Sequence, residues 1–115
     1  MKLAIVGSRG FTDYSLLEST IAEKFQSVTE VISGGATGAD SLGARWAREH
    51  GVKLTIFKPD WDTHGRSAGY LRNIDIVDAA DEVLAMWDGK SRGTAHTIKI
   101  ATDKGKPVVV KIIHP

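Results

Sequence analysis

The sequence predicts an α/β fold, a three-layer α/β/α sandwich around a five-stranded, mainly parallel sheet. Five short apolar runs alternate with stretches of helical period along the whole chain. Most of these runs are continuously apolar rather than alternating, as parallel strands buried on both faces require. Each helical stretch stands between two strands, so parallel pairing needs right-handed crossovers that lay helices on both faces of one sheet.

The first strand is expected at Leu3–Val6. A helix beginning near Asp13 carries Leu17, Ile21 and Phe25 at i, i+4 and i+8, and Ser15 with Glu18 offers a capping box. The second strand is the short run Val31–Ile32. The helix after it follows Asp40, sets Leu42 and Trp46 one turn apart, and stops before Gly51, a natural residue just past a helix end. Leu54–Phe57 is the third strand, and a helix over roughly Ala68 to Ala80 turns Ile74 and Val77 inward. Val83–Met86 is the fourth strand. A last helix starts after Thr94, places Thr97, Ile98 and Ala101 on one face, and ends at Gly105 before Pro107. Val108–Ile113 closes the sheet. One connection, Lys58 to about Ser67, is long for such a fold, and loops of that length either carry function or pack as a flap, here with Trp61 over the sheet edge.

At 115 residues the chain has room for one domain, expected to span 1–115. Fifteen Lys and Arg against fourteen Asp and Glu leave a formal charge of +1, which argues against a strongly cationic nucleic-acid module. The absence of Cys excludes disulfides, Cys-ligated zinc, iron–sulfur clusters and thiol catalysis. The longest apolar run, Val83 to Trp87, is five residues, too short for a membrane span or a secretory leader, so a cytoplasmic location is expected.

Ligands of open parallel sheets bind beyond the carboxyl ends of the strands. Four segments fall on that rim: Gly7-Ser8-Arg9-Gly10, Ser33 through Asp40, the Asp60-Trp61 loop, and Trp87 through Thr94. Three of them are rich in glycine and hydroxyls and run straight into helix N-termini. There glycine lets the backbone approach a ligand, and the helix dipole favours an anion. The expected phosphate-binding set is Gly7, Ser8, Arg9, Ser33, Gly34, Gly35, Thr37, Gly38, Asn73, Asp88, Gly89, Ser91, Gly93 and Thr94, with Arg9 and Arg92 supplying charge-assisted donors. The same glycines also suit plain strand-to-helix turns.

Neither common phosphate fingerprint is present. A dinucleotide motif would need Gly at positions 7, 9 and 12, where Arg9 and Thr12 stand; Gly89-Lys90-Ser91 ends like a P-loop, but Leu84 replaces its first glycine. Asp40 either caps its helix or holds a ribose hydroxyl or acts as a base. Asp60, Asp62 and Asp88 carry the same ambiguity. Arg72 can clamp an anion or remain solvated, and Trp61 and Trp87 can stack on a base or pack at an edge. His50, His64, His96 and His114 have no metal-ligand spacing, so no metal and no other cofactor is expected; of the four only His96, near a helix start, is a site candidate.

Taken together, Val6-Gly7-Ser8-Arg9, Ser33 through Asp40, Asp60-Trp61, Ala68-Gly69 with Arg72-Asn73, Ala80-Asp81 and Trp87 through Thr94 resemble the YpsA-related branch of the SLOG superfamily, over residues 3 to about 110. That superfamily includes the LOG phosphoribohydrolases and the Rossmann domain of DNA-processing protein A. The resemblance implies a Rossmann-like fold that binds a nucleotide or nucleotide-derived ligand, and a homodimer or higher homo-oligomer like the LOG relatives. LOG enzymes cleave the N-glycosidic bond of nucleoside 5′-monophosphates; their arginine matches Arg72, but their acidic glutamate falls on Thr97, which cannot ionise. The leading expectation is therefore ligand binding. The alternative is LOG-like hydrolysis with Asp40, Asp60 or Asp88 supplying the carboxylate beside Arg72, by analogy with glycoside hydrolysis. Single-stranded DNA binding ranks third, disfavoured by the near-neutral charge.

Overall fold

A computed structural model describes residues 1–114 of the chain. Its elements are β1 (Lys2–Gly7), α1 (Tyr14–Lys24), β2 (Glu30–Ser33), α2 (Ala39–Glu49), β3 (Lys53–Ile56), α3 (Trp61–His64), a 3₁₀ turn (Gly65–Ser67), α4 (Ala68–Ala79), β4 (Glu82–Trp87), α5 (Arg92–Asp103) and β5 (Val108–Ile112). The five strands pair in the order β3-β2-β1-β4-β5, all parallel. This is a Rossmann-like sheet.

Side-chain alternation along the strands divides the core into two. Leu3, Ile5, Val31, Leu84 and Met86 face α1 and α2, where Leu17, Ile21, Trp46 and Ala47 meet them. Ala4, Val6, Ile32, Val83 and Ala85 face the other way, onto Ile76 and Val77 of α4 and Ala101 of α5. The continuous apolar runs of β1, β2 and β4 thus reflect burial on both faces. β3 and β5 are edges, and Ile56, Val110 and Ile112 remain exposed there.

Two local expectations are corrected. The cap of α1 is Asp13, whose Oδ1 accepts the Leu16 N–H at 3.0 Å. Ser15 and Glu18 both lie inside the helix, so no capping box forms between them. On α4 the inward stripe is Asn73, Ile76, Val77 and Ala80, at i, i+3, i+4 and i+7, which leaves Ile74 half-buried. The long connection after β3 contains α3 and the 3₁₀ turn, and every residue from Trp61 to Ser67 is exposed. No helix among the described residues is long and apolar enough to cross a membrane.

Candidate functional site

At the carboxyl edge of the sheet, three crossover loops are tied together by hydrogen bonds. The Ser8 N–H donates to Met86 O (3.0 Å), and Ser8 Oγ accepts the Asp88 N–H (3.0 Å), joining the loop after β1 to the loop after β4. Asp88 Oδ1 accepts the N–H groups of Lys90 and Ser91, both at 2.8 Å, which folds its own loop and holds its carboxyl below the ordinary range. The Ala39 N–H donates to Ser8 O (3.2 Å), so the start of α2 docks on the loop after β1. Gly38, at φ 76°, makes this docking possible: a Cβ there would collide with the backbone oxygens of Ser8 and Arg9. The Ser33 hydroxyl, fully buried, donates to Asp40 O and accepts the Gly35 N–H, each at 3.2 Å.

Between these loops and α4 opens a cleft with two adjoining compartments. The inner one, about 440 Å³, is bounded by Gly7, Asp40, Asp88, Ser91, Arg92, Thr94 and Thr97. The outer one, about 690 Å³, is bounded by Gly34, Gly35, Thr37, Lys58, Trp61, Arg66 and Tyr70. Arg9, Ala36, Arg72, Asn73 and Gly93 line both and form the waist. Five cations therefore face the cleft: Arg9, Lys58, Arg66, Arg72 and Arg92. None of them belongs to an ion pair among the described residues. Unpaired cations around a partly desolvated cleft make a ready site for an anion.

Arg72 is the best-positioned of them. Its Nη1 donates to Gly34 O (2.7 Å) and its Nε to Asn73 Oδ1 (3.1 Å), leaving guanidinium donors to spare. Gly34 has no Cβ where this guanidinium lies, so the close approach depends on glycine. Asn73, buried, passes the restraint on: its Nδ2 donates to Gly93 O (3.4 Å) and lies 3.3 Å from His96 Nδ1. Burial lowers the Arg72 pKa, opposed by nearby Asp40 and assisted by Arg9. Burial likewise lowers that of His96.

Asp40 is 7% exposed, in the first turn of α2, and its Oδ2 accepts the Ala36 N–H at 3.2 Å. Burial pushes its pKa up to about 6, against the pull of hydrogen bonds from the Ala36 and Gly34 backbone and of the charges on Arg72 and Arg9. The helix ends divide by use. α1 and α3 are capped by Asp13 and Asp60, whereas α2, α4 and α5 have no side-chain cap at their N-termini. Of these, α5 begins at the cleft, where Arg92, Gly93 and Thr94 line the inner compartment, and its uncapped end suits an anion; the first N–H of α2, on Ala39, is already taken by Ser8 O.

Sequence reasoning placed Gly7, Arg9, Gly34, Gly35, Thr37, Asp40, Trp61, Arg72, Asn73, Asp88, Ser91, Gly93 and Thr94 at the site, and the structure brings all of them to the cleft. Ser8, Ser33 and Gly38 lie behind it, as the joints between loops. Two expectations are corrected. Asp60 is exposed and caps α3, where hydrogen bonds from Thr63 lower its pKa. Gly89 lies at an open turn that borders neither compartment. Lys58, Arg66 and Tyr70 were missed. They sit on or beside a loop without periodicity, and only the fold-back of α3 onto α4 brings them to the cleft. Among the described residues no group of three or more His, Asp or Glu side chains could hold a metal ion.

A family model described as YAcAr, the YspA, cpYpsA-related SLOG family, matches residues 1–64. That span holds the loops after β1 and β2 and the Trp61 helix. The Gene 61 protein of Mycobacterium phage D29 is 38% identical over 117 residues, covering 94% of this chain and 94% of its own.

Proposed function

This chain belongs to the YspA, cpYpsA-related SLOG family, and we propose that it binds a phosphorylated, nucleotide-derived ligand in the cleft at the carboxyl edge of its sheet. One observation carries the reading: five cations that belong to no ion pair among the described residues line a cleft into which the uncapped N-terminus of α5 opens. Phosphate oxygens would accept from the backbone at the start of α5 and from Arg9 and Arg72. The hydroxyls of Ser91 and Thr94 would add neutral donors, and Asp40 would accept from a ribose hydroxyl.

Thermal denaturation with a panel of nucleotides tests it. A ligand at a hundred times its Kd should stabilise the protein by about 2.7 kcal/mol. Arg72→Met should weaken binding by about tenfold or more, since it removes charge-assisted donors. If no nucleotide shifts the transition, or if the Arg72 variant binds as well as the parent, the reading is wrong.

A second reading is supported by Asp40. A buried carboxyl titrating near pH 6 beside Arg72 has the character of a general acid for N-glycosidic cleavage. Thr97, at the position of the LOG glutamate, is a neutral side chain whose hydroxyl donates to Gly93 O (3.1 Å), so any acid must come from elsewhere. Chromatography of nucleoside monophosphates after long incubation separates the two readings: released base supports hydrolysis, and intact nucleotide removes it.

A further inference from the structure

We propose that the outer compartment is built for a nucleoside diphosphate unit, with the base against Trp61 and Tyr70 and the two phosphates between the Arg9–Arg72 waist and the Lys58–Arg66 rim. The inference rests on reading the cleft as a nucleotide site and specifies which nucleotides fit it.

The two compartments differ in chemistry. The inner one holds two carboxylates, Asp40 and Asp88, beside Arg92 and the shared Arg9 and Arg72. The outer one presents four cations and no carboxylate. A single phosphate on the Arg9–Arg72 waist would leave Lys58 and Arg66, which line the same compartment, without an anionic partner. A second phosphate would give them one.

The same compartment holds two aromatic side chains that the core does not need. Trp61 is 58% exposed and Tyr70 55% exposed. Each belongs to a different helix, α3 and α4. Tyr70 is braced edge-to-face by His96 at 4.5 Å. Trp61 lies against Gly69, its Cη2 3.9 Å from where a Cβ would stand. Exposed aromatic surface beside unpaired cations is the arrangement that receives a flat heterocycle attached to phosphate, through stacking and cation–π contact.

Calorimetric titration with the 5′-mono- and 5′-diphosphates of adenosine, guanosine, cytidine and uridine, together with pyrophosphate, tests the proposal. For at least one base the diphosphate should bind about tenfold or more tightly than its monophosphate. The double variant Lys58→Gln/Arg66→Gln should bring that ratio towards one, the diphosphate losing about tenfold more affinity than the monophosphate. Trp61→Leu should weaken the nucleotides but not pyrophosphate. All three substitutions are at exposed positions, and unchanged thermal transitions of the free variants would verify folding. Fluorescence gives an independent readout, because Trp46 is buried and Trp87 is half-buried with its Nε1 donating to Ser91 O. Loss of the ligand-induced signal in Trp61→Leu is therefore expected. If monophosphates bind and no diphosphate binds better, the proposal fails and the nucleotide reading of the cleft stands. If the double variant weakens both forms equally, the rim has no part in the second phosphate and the proposal also fails. If nothing binds, both fall together.

Discussion

The carboxyl of Asp40 titrates near pH 6, pushed up by burial, while an unfolded Asp titrates near its ordinary value of 3.8. Between these pH values the native protein holds more protons than the unfolded chain. Stability contributed by the neutral form is fully present below about pH 4 and is lost as pH rises through 6. Above that, the ionised side chain costs on the order of 2–3 kcal/mol relative to a neutral one in the same place. Asp40→Asn keeps an oxygen for the Ala36 N–H and removes the charge. Urea denaturation should find the variant more stable by about that amount at pH 7.5, with the gain vanishing near pH 4. A gain of equal size at both pH values would show that charge burial is not its cause. Stability alone would favour Asn here, so Asp at this position fits a role in the ligand's chemistry.

At the scale of elements, the cleft exists because the N-terminus of α2 is fastened to the loop after β1, and Gly38 is the joint. Its φ of 76° and the backbone oxygens of Ser8 and Arg9 leave no room for a Cβ. Gly89 has a similar φ of 81° but opens onto empty space. Gly89→Ala should therefore cost about 1 kcal/mol, for backbone strain alone. Gly38→Ala should cost about 3 kcal/mol or more and abolish binding with it. Equal losses in urea denaturation would remove the joint from the account. This contrast was beyond the sequence, where both residues read as glycines of phosphate-type loops. The strands, helix order and parallel sheet were legible because a strand buried on both faces must be apolar throughout. Edges were less so: Leu54–Phe57 and Val108–Ile113 each carry a single polar residue, Thr55 and Lys111, too slight a break in an apolar run to mark a strand with one neighbour. The helix caps were misread where two carboxylates and a Ser competed locally, and geometry chose Asp13 over Ser15. Asp60 was placed at the site because it adjoins Trp61, but an Asp three residues before an available N–H caps the turn first. Arg9 and Arg72 could be found from motif position. Lys58 and Arg66 could not, because nothing in a surface loop's sequence states which way it folds back, and Tyr70 on α4 faces the cleft only through that loop's return.

Across the whole molecule, a net charge of +1 conceals a local field. The cleft holds five of the fifteen Lys and Arg but two of the fourteen Asp and Glu, so the remaining surface is mildly acidic. An anion is thereby drawn to one edge of an otherwise near-neutral protein. Stability is distributed just as unevenly. β1 and β4, at the middle of the sheet, are fully buried over most of their length, whereas Trp61 to Ser67 contribute no buried residue to either core. A segment with so little buried surface opens at a free-energy cost far below that of global unfolding. Amide hydrogen exchange should therefore be fast across 59–67 and reach the global limit at Ile5 and Leu84. Saturating nucleoside diphosphate should slow exchange at 92–95, where phosphate would meet the start of α5. It should also slow 59–67, because base and rim contacts hold Trp61 and Arg66 in place. Protection confined to 92–95, with 59–67 exchanging as before, would mean that the ligand sits wholly in the inner compartment and that the outer aromatic rim takes no part in holding it.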